Sequence, residues 1–228
     1  AKPSSAASDV YKRQHPDLAE NYRDDLDFDY INNDASAEPE ANNETHGTAV
    51  AGVAAAATNA YCGVGTAYNA EIIGVRMIDE DRGISTSRQA SAVSHQSDLV
   101  HIYNNSWGPD TEDGVRMEGP GNLAFSAIKN AVENGRNGLG AIYVWAAGNG
   151  RAIGSNLNYD GWASHRYSIA VGAVGDHGKG SPYSEPGASM LVCAHSNGNT
   201  SGIRTTDLLG QAGADPVSYT HLTLPTKA

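Results

Sequence analysis

Apolar and polar positions follow one another along the chain in blocks that predict an α/β protein. Four short apolar runs have the length and composition of buried strands; they occupy residues 71–78 (EIIGVRMI), 99–107 (LVHIYNNSW), 141–150 (AIYVWAAGNG) and 167–174 (YSIAVGAV). Segments with helical spacing lie at residues 45–58, 85–97 and 122–135. This alternation predicts a three-layer fold, in which a mostly parallel sheet is flanked by helices.

Two of the predicted helices show a clear packing side. Residues 45–58 are rich in alanine, and Ala49, Val53, Ala56 and Ala57 belong to one side that could pack closely against a sheet. Residues 122–135 form an amphipathic pattern that ends at Gly135, a residue type that commonly terminates helices.

The acidic character of the chain restricts its partners. The 228 residues suit one domain, and the stretch at residues 24–44 (DDLDFDYINNDASAEPEANNE) is interpreted as a polar surface loop. A net charge of −11 disfavours nucleic acid and anionic lipid, and it favours a cationic substrate or bound Ca²⁺. Solubility alone is the alternative explanation for the charge. No apolar run reaches the roughly 18 residues of a membrane span.

Candidate chemistry concentrates at predicted strand ends and at one helix start. Ligands of α/β proteins bind beyond the carboxyl ends of parallel strands, where residues 106–108 and 148–150 are expected. His46 begins the alanine-rich helix, a position that can hold an imidazole rigidly for general-base catalysis. A structural histidine is the alternative when His46 is considered by itself.

Several motifs together resemble one enzyme family. The segments HGTAVAGV, NNSWGP and AAGNG, which begin at His46, Asn104 and Ala146, have the order and rough spacing of subtilisin-like serine proteases. NYDGWAS, PYSEPGAS and TTD, which begin at Asn158, Pro182 and Thr205, are similar to the kexin/furin subfamily. The resemblance covers about residues 15–215. It implies a subtilisin-like fold, here incomplete, and a monomeric, secreted or extracytoplasmic endopeptidase that cleaves after Arg or Lys.

The resemblance assigns roles to the central motifs. His46 would take the proton of a serine hydroxyl, and Asn149 would donate its side-chain amide to the oxyanion of the intermediate. An ordinary turn asparagine is the alternative for Asn149. Ser106, Trp107 and Gly108 would form an edge strand that pairs with an extended substrate.

The same comparison implies acidic pockets for basic side chains. Asp160 would lie at the base of the S1 pocket, with Glu112 or Asp113 on its wall. The chain has one residue more between Pro109 and Gly114 than the usual family spacing, so the choice between Glu112 and Asp113 stays open. Glu118 and Asp79 would serve further basic subsites. Asn43 stands where the family often has aspartate, which weakens a strictly dibasic preference.

Calcium is also implied by the resemblance. Asp17 and Asn59 would supply side-chain oxygens, and Ala56, Tyr61 and Gly63 would supply main-chain carbonyls. A helix-capping aspartate and a loop asparagine are the alternatives.

A second cation site would include Glu185, although Ser155 replaces an expected aspartate there. Cys62 matches a family disulfide position, but its partner falls near Ala212, so that bridge is not expected.

The motifs that carry two members of the family's catalytic triad, the aspartate and the serine, do not occur in the sequence. The catalytic aspartate would lie in D-[DT]-G, seven residues before His15, where Ser8 stands next to Asp9. No G-T-S-x-x-x-P segment follows residues 205–207. The N-terminal segment is therefore expected to lack the family's central strand, and the chain as given is expected to be inactive although its parent is an enzyme.

Three segments are expected from these observations. Residues 1–14 and 217–228 resemble translated adapter sequence, and residues 15–216 form a partial peptidase domain. A catalytically degenerate peptide-binding pseudoprotease is one alternative. A nucleotide-binding protein, suggested by GNGRAIG, is disfavoured by its G-x-G-x-x-x-G spacing.

Overall fold

The sheet at the centre of this computed structural model consists of seven parallel strands. Residues 4–7, 15–38, 45–60, 63–79, 83–109, 115–198, 202–206 and 221–223 are described, with backbone only at 4–7 and 221–223. The strands are β1 (Ser4–Ala7), β2 (Phe28–Asp29), β3 (Ile72–Arg76), β4 (Ile102–Asn105), β5 (Ile142–Ala146), β6 (Ser168–Val174) and β7 (Met190–His195). They lie in the order β2-β3-β1-β4-β5-β6-β7. The predicted mostly parallel sheet is confirmed, and four of these strands lie within the four predicted runs.

Helices connect the strands, as the sequence predicts. They are α1 (Pro16–Ala19), α2 (His46–Ala55), α3 (Thr86–Ala92) and α4 (Asn122–Gly138). The backbone of α4 departs from helical geometry at Gly135, where its end is predicted. A small antiparallel pair, β8 (Arg204–Thr206) and β9 (His221–Thr223), stands apart from the main sheet.

The expectation of a missing central strand is wrong. β1 lies between β3 and β4 and pairs with both, so that Ser4 aligns with Ile72 on one side and with Ile102 on the other. Two parallel strands flanking a gap present main-chain donors and acceptors on both sides, and an extended segment without proline, such as SSAA, can satisfy them. The side chains that usually mark a strand were not needed here.

The interpretation of residues 24–44 as a polar surface loop is wrong for part of that stretch. β2 lies within it, and Asp29 is buried together with Arg76 of β3. The Asp29 Oδ2 and Arg76 Nη1 atoms are 2.8 Å apart, with the arginine side chain wholly inaccessible. Asp29 also accepts hydrogen bonds from the main chain of Ile31 and Asn32. These contacts satisfy a carboxylate that the sheet would otherwise exclude.

The packing side of α2 and of the two residues after it agrees with the predicted one except at Val53, which is 36% exposed. Ala49, Ala56 and Ala57 are buried as expected, and Ala51 and Ala55 are buried as well. The buried side therefore contains only small residues, which brings α2 close to its neighbours.

Strand β8 fixes α2 from the other direction. The hydroxyl of Thr206 donates to the carbonyl of Thr48 at 2.6 Å, and the hydroxyl of Thr205 donates to the carbonyl of Ala49. Gly52 faces the same two threonines, and a Cβ atom there would lie 2.6 Å from the Thr205 hydroxyl oxygen. The helix that begins with His46 is thus held by a contact that requires glycine.

Replacement of Gly52 by alanine should destabilise the protein by about 2 kcal/mol, because the new methyl group must displace both threonines. Gly83→Ala is the matched control, since nothing lies within 4 Å of its added Cβ. Urea unfolding followed by tryptophan fluorescence measures both changes. Equal midpoints for the two variants would contradict the packing described here.

Candidate active site

The carboxyl ends of β4 and β5 place two loops side by side. Asn105 at the end of β4 aligns with Trp145 of β5. The segments that follow, residues 106–109 and 147–149, therefore leave the sheet at the same edge. This is the edge at which the sequence places ligand binding.

The chain's three tryptophans support the first of these loops. Trp145 Nε1 donates to the carbonyl of Trp107 at 2.7 Å. The ring centroid of Trp107 lies 4.8 Å from that of Trp145 and 5.0 Å from that of Trp162. This packing fixes the predicted substrate-pairing edge, and the Asn104 amide donates to the hydroxyl of Ser106 at its start.

Asp160 lies against that edge. Its Oδ1 atom accepts hydrogen bonds from the main chain of Trp162 at 2.7 Å and of Ala163 at 3.2 Å. Its Oδ2 atom is 3.0 Å from the position that a Cβ atom would take on Gly108. The residue is 7% exposed. One carboxylate oxygen is thus held by the protein while the other faces the loop of residues 106–108.

The carboxyl group of Asp160 titrates far from its ordinary range. Burial raises its pKa to about 6, against the opposing effect of the two main-chain hydrogen bonds. The carboxylates of Glu185 and Glu118 raise the pKa further. Such a shift marks a group that needs a nearby cation to ionise fully at mildly acidic pH.

Glu118 lies beside Asp160. The main chain of Glu118 forms a bridge with residues 159–161, donating to Tyr159 at 3.1 Å and accepting from Gly161 at 2.6 Å. Its side chain is exposed. Glu112 and Asp113, the two candidates for the pocket wall, lie outside the described residues.

Asp79 lies in a different environment. Its Oδ2 atom is 3.1 Å from Arg76 Nη2, so it shares the buried arginine with Asp29. This ion pair compensates its charge and weakens the case for Asp79 as a separate basic-residue subsite. The sequence feature that indicates this ion pair is Arg76 within the apolar run IIGVRM, because a charge inside a buried strand needs a partner.

His46 is the first residue of α2 and is half-buried. Burial lowers the pKa of its imidazole below the usual value. The neutral form therefore predominates at neutral pH, and only that form can accept a proton.

Asn149 occupies the turn after β5. It is exposed and lies between Gly148, whose φ angle is +98°, and Gly150, which begins a short 3₁₀ turn (Gly150–Ile153). A second 3₁₀ turn follows at Leu157–Tyr159. The long helix that a pyrophosphate site requires does not follow this glycine-rich turn, which argues against nucleotide binding.

The segments named for calcium are adjacent. The Asn59 amide donates to the carbonyl of Pro16 at 3.4 Å, and the main-chain N–H of Ala57 donates to the main-chain carbonyl of Asp17 at 2.7 Å. The Asp17 side chain is buried, and the carbonyl of Ala56 accepts from Gly65. One carboxylate, one amide and the carbonyls of Ala56 and Gly63 are oxygen donors of the kind that calcium accepts. Tyr61 lies outside the described residues.

The described part of the chain contains no group of three or more His, Cys, Asp or Glu side chains that could together hold a metal ion. None of its helices has the length and apolar character needed to cross a membrane.

Comparison with known proteins identifies the family. A profile of the subtilase family matches residues 8–217. The chain belongs to the subtilase family. Neuroendocrine convertase 2 of Rattus norvegicus is 40% identical over 204 residues, covering 86% of this chain and 32% of the relative. Proprotein convertase subtilisin/kexin type 6 of the same species is 42% identical over 194 residues, covering 83% and 20%.

The predicted resemblance is thereby confirmed, while the chain spans about a third or less of these relatives' length.

Solved structures confirm the subtilisin-like fold. A serine protease of Aeromonas sobria superposes with a TM-score of 0.82 at 22% identity, covering 98% of this chain and 41% of that one. A protease of Pseudoalteromonas arctica gives 0.74 at 24% identity, with coverage of 98% and 72%.

Asp160→Asn should stabilise this subtilase chain at pH 8 by up to about 3 kcal/mol. The native carboxyl holds its proton between pH 4 and 6 while the unfolded one has lost it, so ionised Asp160 costs stability above pH 6. At pH 4 the two proteins should unfold at similar urea concentrations. Glu118→Gln, an exposed neighbour, should have little effect at either pH. A benefit of Asp160→Asn that is larger at pH 4 than at pH 8 would contradict the burial argument.

Proposed function

We propose that the chain is part of a serine endopeptidase domain that hydrolyses peptide bonds after Arg or Lys. One observation carries the basic preference: the buried carboxylate of Asp160, with one oxygen facing Gly108 at the substrate edge. A guanidinium or ammonium group that enters there gains a charge-assisted hydrogen bond in a site with little water. An arginine would also orient by its planar fork.

Main-chain pairing supplies the remaining affinity in this proposal. Residues 106–108 would pair with an extended peptide, and the tryptophan packing beneath Trp107 keeps that edge in place. Glu118 would attract a further basic side chain from the exposed rim. Peptides or proteins with basic residues are therefore the proposed partners.

His46 and Asn149 would perform the chemistry in the parent enzyme. The neutral imidazole of His46 would remove the proton of the serine nucleophile and later protonate the leaving amine. The exposed amide of Asn149 would donate a hydrogen bond to the oxyanion, which carries most charge in the transition state.

The motifs D-[DT]-G and G-T-S-x-x-x-P, which carry the orienting aspartate and the nucleophile in the family, are absent from the sequence. We propose that this chain hydrolyses no peptide. Residues 15–216 are the proposed peptidase domain, with residues 1–14 and 217–228 of foreign origin. Residues 4–7 nonetheless join the sheet through their main chain.

Calcium binding and an extracytoplasmic location complete the proposal. Asp17 and Asn59, with carbonyls of Ala56 and Gly63, would hold the ion and tie the end of α2 to α1. The ion would neutralise the Asp17 carboxylate and stabilise the structure, and it would take no part in the chemistry.

Binding of a peptide that ends in arginine should change the intensity of tryptophan fluorescence, because Trp107 in the edge at residues 106–108 packs against the other two indoles. A peptide with norleucine in place of arginine should bind at least tenfold more weakly, as should the arginine peptide to Asp160→Asn. Affinity should fall as the pH is lowered through about 6, where Asp160 is protonated.

Asp98→Asn is the matched control, since this exposed residue precedes β4 and lies toward the amino ends of the strands. Equal affinity for both peptides would refute the basic preference.

Recovery of the gene from its source, by amplification outward from the codons of His46 and Asn149, tests the missing triad members. We expect D-[DT]-G before His15 and G-T-S after Asp207. Persistence of the present ends would instead favour a pseudoprotease, which binds peptides without hydrolysing them.

A further inference from the structure

Glu185 lies beneath the turn that carries Asn149. It is 4% exposed and belongs to the loop between β6 and β7. Its Oε1 atom accepts a hydrogen bond from the main chain of Gly150 at 2.8 Å, and its Oε2 atom accepts one from the Ser155 hydroxyl at 3.0 Å. Its own main-chain N–H donates to the carbonyl of Gly148 at 3.2 Å. A single residue thus holds both sides of the turn.

The turn is built around this carboxylate. A Cβ atom on Gly148 would lie 2.5 Å from Glu185 Oε1 and 2.6 Å from its Cδ atom. The φ angle of +98° at Gly148 also disfavours any side chain. Glycine is required here because the carboxylate approaches the backbone closely.

Neighbouring hydrogen bonds extend the attachment. The main chain of Arg151 donates to Tyr183 at 3.3 Å, and that of Leu157 donates to Pro186 at 3.0 Å. The segment around Glu185 therefore runs along the whole stretch from residue 148 to residue 157.

The residues present do not fit the second cation site that the resemblance implies. Each carboxylate oxygen of Glu185 accepts a hydrogen bond, one from the Gly150 N–H and one from the Ser155 hydroxyl. A cation site would need further oxygen lone pairs directed at the ion in place of these donors. Ser155 supplies a neutral hydroxyl where a second carboxylate is expected. The described residues contain no acidic cluster around Glu185 that qualifies as a metal site.

We propose that Glu185 is a positioning residue that holds the Asn149 turn by direct hydrogen bonds, with the Ser155 hydroxyl in place of a bound cation. The oxyanion role of Asn149 rests on the proposed function. The hydrogen bonds of Glu185 and their independence of a bound metal do not rest on the proposed function.

Hydrogen exchange of the Gly150 amide, measured by NMR on the chain as given, tests the positioning role. Glu185→Ala should accelerate that exchange at least tenfold and shift the side-chain amide signal of Asn149. Glu185→Gln keeps an acceptor, so it should restore most of the protection and the Asn149 signal. Ser155→Ala, which removes one hydrogen bond, should accelerate exchange by a smaller factor and provides the test if Glu185→Ala does not fold.

Unchanged Gly150 exchange in a folded Glu185→Ala or Ser155→Ala protein would overturn the proposal. Equal loss of protection in Glu185→Gln and Glu185→Ala would overturn it as well, because a retained acceptor should matter.

Calcium titration provides the second arm. Addition of calcium to about 1 mM, a concentration at which weak protein sites fill, should leave the Gly150 and Ser155 amide signals of the unchanged chain in place. Ser155→Asp restores the second carboxylate and should make both signals respond. A response of Gly150 in the unchanged chain would overturn the proposal. Shifts confined to residues near Asp17 and Asn59 would report the other site.

The peptide titration of the proposed function is independent of these measurements. If the chain fails to bind the basic peptide but Glu185→Ala still accelerates exchange of the Gly150 amide, the proposed function is rejected. The positioning role of Glu185 then stands.

Discussion

Parallel pairing of the strands is the constraint on which the site depends. Because neighbouring strands run in the same direction, the loops that follow β4 and β5 must leave the sheet at one edge, and residues from distant parts of the sequence meet there. Trp107 and Trp162 pack against Trp145 of β5, so the sheet core directly supports the surface at which a substrate would lie. Stability and recognition share the same packing.

Buried charge is treated in two different ways in this fold. Arg76 is compensated by Asp29 and Asp79, and this closed ion cluster joins β2 to β3. Burial raises the pKa of Asp160, and its acidic neighbours raise it further, against the opposing effect of the hydrogen bonds that one of its oxygens accepts. A compensated charge contributes structure, whereas an uncompensated one is available to an incoming cation.

Sequence patterns predicted β3, β4, β5 and β6 and missed the other three strands of the main sheet. β3, β5 and β6 are apolar runs, so their periodicity and length sufficed. β1 consists of serine and alanine, and β2 has two residues within an acidic stretch, so only the main-chain pairing of the folded protein reveals them. β7 was missed although its sequence, MLVCAH, is largely apolar; it is an edge strand, and side chains such as Leu191 are exposed.

The candidate site was predictable where a motif carried its chemistry and not where partners come from far away. Asp160, Glu118 and Gly108 were named from motifs, and the structure places them together. The attachment of Asp79 to Arg76 required knowledge of side-chain direction at the end of β3. The contacts of Glu185 with Gly150 and Ser155 span 35 and 30 residues, respectively, and no local pattern indicates such pairs.

In the proposed site, the raised pKa of Asp160 would couple recognition of a basic side chain to proton release. An incoming guanidinium favours the carboxylate and would lower that pKa toward its ordinary value, so binding near pH 6 must expel a proton from part of the population. The same cation removes the repulsion that Glu185 and Glu118 exert on Asp160. A neutral side chain of equal size would gain neither effect and would leave the buried carboxylate unpaired. The proposed selectivity for a basic residue would therefore arise as much from the cost of leaving Asp160 uncompensated as from the new hydrogen bond itself.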